Sequence, residues 1–297
     1  EDIDTIDNRG DIELLANSDA TGVAVSLDVA GTVKGDAAGS SVSDASVTAT
    51  STAAGIEGGE GDDKIDNEGL YNLVSDAEGD SVAASVAIAG SVVKKGVAGA
   101  DVDVIAVSNA SSTTEATTVG LDGGGGDDTI INKNDLEELK ASADSDTVAV
   151  SAGVDVVLTT KGASDVDLEG AALSDASAFA AAFVAGLDAG DGDDTMVNEG
   201  DLLDLETYAK SASDAVAVDI AGNIVSKGAA TGDVKGEAVS GASSTAEAFT
   251  VGLDGGEGDD TITNKGDLEL LKATAESEAF SLSVGAQFAV TTKGASN

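Results

Sequence analysis

The chain has 297 residues, with 14 Lys and Arg against 56 Asp and Glu for a formal charge of −42, and no His, Cys, Pro or Trp. The missing His and Cys exclude the usual serine or cysteine triads, a structural zinc cluster and an imidazole base, and the charge excludes nucleic acid and anionic membrane surfaces as partners. Aromatics are only 2% while the AVILMFWYC set is 41%, which argues against both an aromatic-rich core and an acidic disordered chain and leaves an elongated architecture with a thin core of small side chains.

Taken in chain order, Ile3–Asp11 is the back half of a segment that returns complete at 55–69, 120–135, 186–201 and 252–267. The starts are 65, 66 and 66 residues apart, and this repetition overrides any domain count based on length. The units run 1–54 (partial), 55–119, 120–185, 186–251 and 252–297 (partial). Neither end reads as the cap that repeat arrays need, so the chain is expected to be a window on a longer protein.

After each glycine-rich segment comes a stretch of strict alternation: Val23, Val25, Leu27, Val29; Val82, Ala84, Val86, Ile88; Val148, Val150, Ala152, Val154, Val156; Val216, Val218, Ile220; and Phe280, Leu282, Val284, Ala286, Phe288, Val290. Period two with β-branched residues on one face predicts a half-buried strand with these residues as its apolar face. Each stretch ends in a Lys-Gly turn, at Lys34-Gly35, Lys95-Gly96, Lys161-Gly162, Lys227-Gly228 and Lys293-Gly294.

A second alternating stretch follows whose repeated face is small, as in Ala172, Ser174, Ala176, Ala178, Ala180, Ala182. Such a face lets a second sheet approach closely. Helix is rejected for 176–185 despite the alanines, because the aligned Val47–Thr52 is rich in Thr and Ser and keeps period two. The fold class is all-β and elongated, with a β-solenoid preferred over antiparallel long-stranded hairpins in a sandwich. Read as three rungs of about 22 residues, each unit advances three strand spacings of about 4.8 Å and the chain spans roughly 65 Å.

The glycine-rich segments carry the chemistry. In one copy Asp188, Asp191, Asp193, Asp194, Glu199 and Asp201 fall within 14 residues, and adjacent carboxylates repel unless a counter-ion joins them. Hard oxygens between glycines suit a cation with flexible coordination, which favours Ca²⁺ over Mg²⁺.

Gly58-Gly59-Glu60-Gly61-Asp62-Asp63-Lys64-Ile65 resembles the calcium-binding nonapeptide G-G-x-G-x-D-x-U-x of repeats-in-toxin proteins. The segments starting at Gly123 and Gly255 match equally, and the one starting at Ala189 has Ala at the first glycine. The resemblance implies Asp63, Asp128, Asp194 and Asp260 as calcium ligands and Ile65, Ile130, Met196 and Ile262 as inward apolar residues. The family stacks its nonapeptides consecutively, whereas here each motif stands alone along the sequence. The remaining ligands are therefore expected from Asp62, Asp127, Asp193 and Asp259, from Asp122, Asp188, Asp254 and Glu57, or from another rung.

Downstream lies Asn-x-Gly at Asn8, Asn67, Asn198 and Asn264, with Asn132-Lys133-Asn134 as the variant. Asn replacing Gly predicts a left-handed backbone at the third position, and the turns resemble rung corners of large secreted β-helical adhesins. Recurrence of the same carboxylate pair in every unit, without an aromatic sugar platform, argues against an enzyme. The expectation is an extracellular, calcium-stabilised segment of a bacterial surface fibre or adhesin. Its partners would be calcium ions and neighbouring copies or flanking repeats, with no membrane insertion. The alternative is a module binding a glycan or ice.

Overall fold

A computed structural model describes residues 3–33, 36–69, 71–93, 98–99, 101–165 and 167–292. The turns predicted at Lys34-Gly35, Lys95-Gly96 and Lys293-Gly294 lie outside the described residues. Among the described residues every regular element is a β-strand, and the strands are numbered in chain order. One sheet holds the long strands β2 (Ile12–Thr32), β5 (Tyr71–Val93), β9 (Leu136–Thr159), β13 (Leu202–Val225) and β17 (Leu268–Thr291). A second holds β3 (Ala37–Glu60), β7 (Val102–Gly125), β11 (Leu168–Asp188) and β15 (Val234–Asp254). Short strands close the two edges: β1 (Thr5–Asn8), β4 (Lys64–Asn67), β8 (Thr129–Asn132), β12 (Thr195–Asn198) and β16 (Thr261–Asn264) on one, and β6 (Ala98–Gly99), β10 (Gly162–Asp165) and β14 (Gly228–Thr231) on the other.

All pairings are parallel, and each residue pairs with its own counterpart one repeat away, as in Ala176 with Ala110 and Ala242. One unit is therefore one coil: out along the first sheet, back along the second, and through a short edge strand. This is a β-solenoid, as expected, and the parallel ladders replace the antiparallel alternative. The three-rung subdivision fails, because a unit advances a single spacing of about 4.8 Å and the long dimension runs along the strands, where 24 residues reach roughly 80 Å. The step between β2 and β5 is 59 residues, because Ile12 pairs Tyr71, whereas β3 to β7 takes 65 and β11 to β15 takes 66. The zero proline count fits, since nearly every strand amide donates to a ladder.

The two sheets meet through their small faces. Ser43 Oγ donates to the Ala84 carbonyl, Ser108 Oγ to Val150 and Ser174 Oγ to Val216, each across the sheets at 2.6 Å. A serine reaches an opposing carbonyl only when the sheets are far closer than the usual ~10 Å. At the centre the apolar core is alanine alone: Ala45, Ala83, Ala110, Ala149, Ala176 and Ala215. It thickens toward the glycine-rich edge, where Leu121, Leu136, Leu187, Leu202, Ile130 and Met196 fill a three-sided space.

This pinch reverses one expectation. The interior face of the first sheet is Ala149, Ser151, Gly153 and their counterparts, and the alternating valines point outward. Val23, Val25, Leu27 and Val29 are exposed, as are Ile88, Val92 and Val150 on inner strands. Valine would hold the sheets too far apart for the serine bonds, so the small set is buried and the β-branched set is not.

Candidate cation-binding edge

The glycine-rich segments lie between the second sheet and the short strands of the first edge. Far apart in sequence, they stack directly on one another in space. Gly61 N donates to the Gly125 carbonyl, Gly126 N to Asp191 and Gly192 N to Glu257, at 2.6 to 2.7 Å. The expectation that each motif stands alone is corrected by the coil, which places each beside its neighbour.

Two glycine columns are left-handed: Gly59, Gly124, Gly190 and Gly256 (φ 100°, 96°, 93° and 78°), and Gly61, Gly126, Gly192 and Gly258 (129°, 127°, 145° and 142°). Every copy keeps glycine there. The first motif column is not left-handed, and it is the one that tolerates Ala189.

The four aspartates implied as ligands form one column. The Oδ1 atoms of Asp63, Asp128, Asp194 and Asp260 accept the amides of Asp4, Asp63, Asp128 and Asp194 at 2.6 to 3.0 Å. Asp63, Asp128 and Asp194 are almost fully buried, and their Oδ2 atoms have no hydrogen-bond partner. A Cβ added to Gly123 or Gly255 would stand 2.6 or 2.7 Å from Oδ2 of Asp128 or Asp260, so the glycines make room for these oxygens. Burial, with the like charges of neighbouring aspartates, pushes Asp128 up to about 6 against the opposing amide bond from Asp63. Burial likewise raises Asp194.

Asp62, Asp127, Asp193 and Asp259 form an exposed column turned the other way. The Oδ1 atoms of the first three accept the amides of Asp127, Asp193 and Asp259 at 2.9 to 3.0 Å. Asp122, Asp188 and Asp254 stack with Glu57 at the end of the second sheet, partly buried. Burial, then repulsion from Asp122 and Asp254, pushes Asp188 up to about 6, and burial with Glu57 raises Asp122. An open hollow of about 360 Å³ lies between Glu57, Asp122 and the loop glycines. Among the described residues no set of three or more acidic side chains converges at ligating distance. The three columns are parallel, so a cation here would combine one or two carboxylates with main-chain carbonyls and water. The donors are all hard oxygens, and the orphaned Oδ2 atoms are the natural anchors.

Ile65, Ile130 and Met196 point into the core beside these aspartates and are essentially fully buried, while Ile262 on the last coil is 44% exposed. The Asn column does more than turn the chain. Nδ2 of Asn8, Asn67, Asn132 and Asn198 donates to Oδ1 of the next asparagine at 2.7 to 2.8 Å and to the carbonyl two residues on. The glycines after it are not left-handed, contrary to expectation. They are set by close approach: a Cβ on Gly69, Gly200 or Gly266 would stand 1.8 to 2.0 Å from the carbonyl oxygen of the preceding coil.

Sequence reasoning missed one acidic pair. Asp155 and Asp219, on β9 and β13, are fully buried between the sheets, and none of their four carboxylate oxygens has a hydrogen-bond partner. A Cβ on Gly170 would stand 2.5 Å from Asp155 Oδ2 and 2.6 Å from Asp219 Oδ1, so the two oxygens lie within about 5 Å of each other. Burial, then Asp219 and Asp103, pushes Asp155 up to about 8. Burial raises Asp219 to about 6, with the nearby Glu237 amide acting against the rise. Asp155 has no acidic counterpart in the other coils and Asp219 has one, Asp28 on β2, with Ala87, Gly153 and Gly285 at the remaining positions of that column, so no regular pattern marked the pair.

Fold and edge together define a parallel β-solenoid of long coils with one glycine- and aspartate-rich edge. No protein-family model, curated protein or solved structure matches the chain.

Proposed function

We propose that the chain is an extracellular, calcium-stabilised structural segment, the stalk or filament of a bacterial surface fibre or adhesin, and not an enzyme. The observation that carries this reading is the column of buried Asp63, Asp128 and Asp194, whose unpartnered Oδ2 atoms sit beside glycine in consecutive coils. Each such oxygen is costly unless protonated or bound to a cation. The resemblance of the same residues to the repeats-in-toxin nonapeptide supports calcium as that cation. Binding to the folded state adds stability by mass action, so a low-calcium interior would leave the chain loose and a calcium-rich exterior would close the coils. Secretion to the cell surface follows from that logic.

The test is calorimetric calcium titration with circular dichroism in chelator. We expect calcium uptake, a higher melting temperature in calcium, and weaker binding in Asp128→Asn. A β signal and melting temperature identical in calcium and chelator would sink the reading. The glycan or ice alternative gains nothing from the outer face of the second sheet: exposed Thr50 is followed along its column by Glu115, Ala181 and Glu247, not by a regular array.

A further inference from the structure

The outer face of the first sheet divides into two halves. Toward the glycine-rich edge it is charged, with columns such as Asp19, Glu78, Asp144, Lys210, Glu276. From the column Val25, Ala84, Val150, Val216, Leu282 onward it changes. Along the outward positions of β9 from 150 to 158, and their partners on the other four strands, no residue is polar. The face is also smooth: the Phe288 ring lies over Gly222, where a Cβ would stand 2.2 Å from its Cζ. On the inner strands Ile88 and Val150 are each 37% exposed, so the face is uncovered well away from the sheet edges.

We infer that this apolar half-face is a lateral interface between two copies of the chain, packed sheet against sheet. Five strands at about 4.8 Å by nine residues at about 3.3 Å give roughly 700 Å², close to the ~800 Å² that each partner contributes to a stable interface. Patches of this size on a soluble surface mark interaction sites. On a chain of −42, it is also the surface through which two copies meet without opposing like charges.

Charge also selects the arrangement. A two-fold axis parallel to the solenoid axis mates the apolar halves and sends the acidic halves out on opposite sides. An axis along the strands would set Asp144 and Asp146 against their own counterparts about 10 Å away, within the Debye length. The first is therefore the predicted dimer. It differs from end-to-end growth through sheet edges, because it joins coils side by side and leaves both edges free. The inference does not depend on the calcium reading.

Sedimentation velocity of the full chain in calcium, over a wide concentration range, tests it. We expect a monomer–dimer equilibrium that V150D/V154D abolishes while the circular dichroism of the folded chain is retained. The chain has no cysteine, so single substitutions report geometry. Val154→Cys, at the centre of the face, should cross-link to itself with a short bis-maleimide. Asp146→Cys should not, because the wrong axis alone brings it to its counterpart. A chain monomeric at every concentration overturns the inference, as does association that survives V150D/V154D, or a monomer that floats with phosphatidylcholine vesicles. Failure of the calcium reading appears instead in the dichroism, independently of sedimentation.

Discussion

Replacing Asp155 by Asn should stabilise the protein, and by an amount that grows with pH. In the folded chain burial and the nearby Asp219 hold the Asp155 proton up to about 8, against an ordinary 3.8. Between those values the folded state keeps a proton that the unfolded state has lost, so stability falls as pH rises through the window. The slope is about 1.4 kcal/mol per pH unit, which accumulates to about 5 kcal/mol by pH 8. Asparagine supplies a neutral group of the same shape with a donor facing Asp219, imitating the protonated acid. Urea unfolding at fixed calcium from pH 4 to 8.5 measures the difference between the two proteins, cancelling the titration of every other carboxylate. The curves should nearly coincide at pH 4 and separate steadily until pH 8. A difference that stays constant across that range, or that narrows with rising pH, would refute the account of an uncompensated buried pair.

Three further outcomes follow from the columns. Asn132→Leu removes donors to Asn134 and Asn198 and an acceptor for Asn67, and should cost about 3 kcal/mol because the buried partners stay unpaired; the same change at the half-buried Asn8 should cost less than half of that in denaturant titration. Gly190→Ala should prevent the coils from closing, since its Cβ would stand 1.9 Å from the Gly124 carbonyl oxygen at a φ of +93°, whereas Gly59→Ala, with φ +100° and open space, should cost only about 1 to 2 kcal/mol in melting experiments. Asp219→Asn should stabilise as Asp155→Asn does, with most of its pH-dependent gain in place near pH 6, where Asp219 titrates in the fold, and a smaller further gain toward pH 8 as Asp155 is relieved of the Asp219 charge.

The all-β fold was legible because alternation and repeat are both explicit in the residues, and the two constrain each other. What the period could not say is whether 66 residues make one coil or three; long strands and short ones alternate identically. The inversion of the sheet was hidden because both faces are apolar by composition. Valine is the better core residue in isolation, but the pairing of two small faces overrules it: Ala149, Ser151 and Gly153 lie between the valines and find Ser108 and Ser174 opposite. The aspartate column was visible through its glycines. Asn8, Asn67, Asn132, Asn198 and Asn264 were visible as turns, and their persistence where the following glycine becomes Asn134 was the available sign that the asparagine itself is required. Asp155 and Asp219 carry no such sign, since their burial is a product of the coil.

The short first step bears on how such a chain can vary. Strands β2 and β3 are joined by four residues, 33 to 36, whereas β5 and β7 are separated by 94 to 101, yet every column on both sides of the shorter link stays in register. Length changes at the end opposite the glycine-rich edge are therefore absorbed locally. At the glycine-rich edge the one residue gained between β5 and β9, Glu137, is taken up by a bulge beside Tyr71 and Asn72 that leaves the following columns in register. The opposite end takes the larger change, four residues in one coil against eight in the next, so insertions, fused peptides and labels belong there, about the length of a strand away from the asparagine and aspartate ladders.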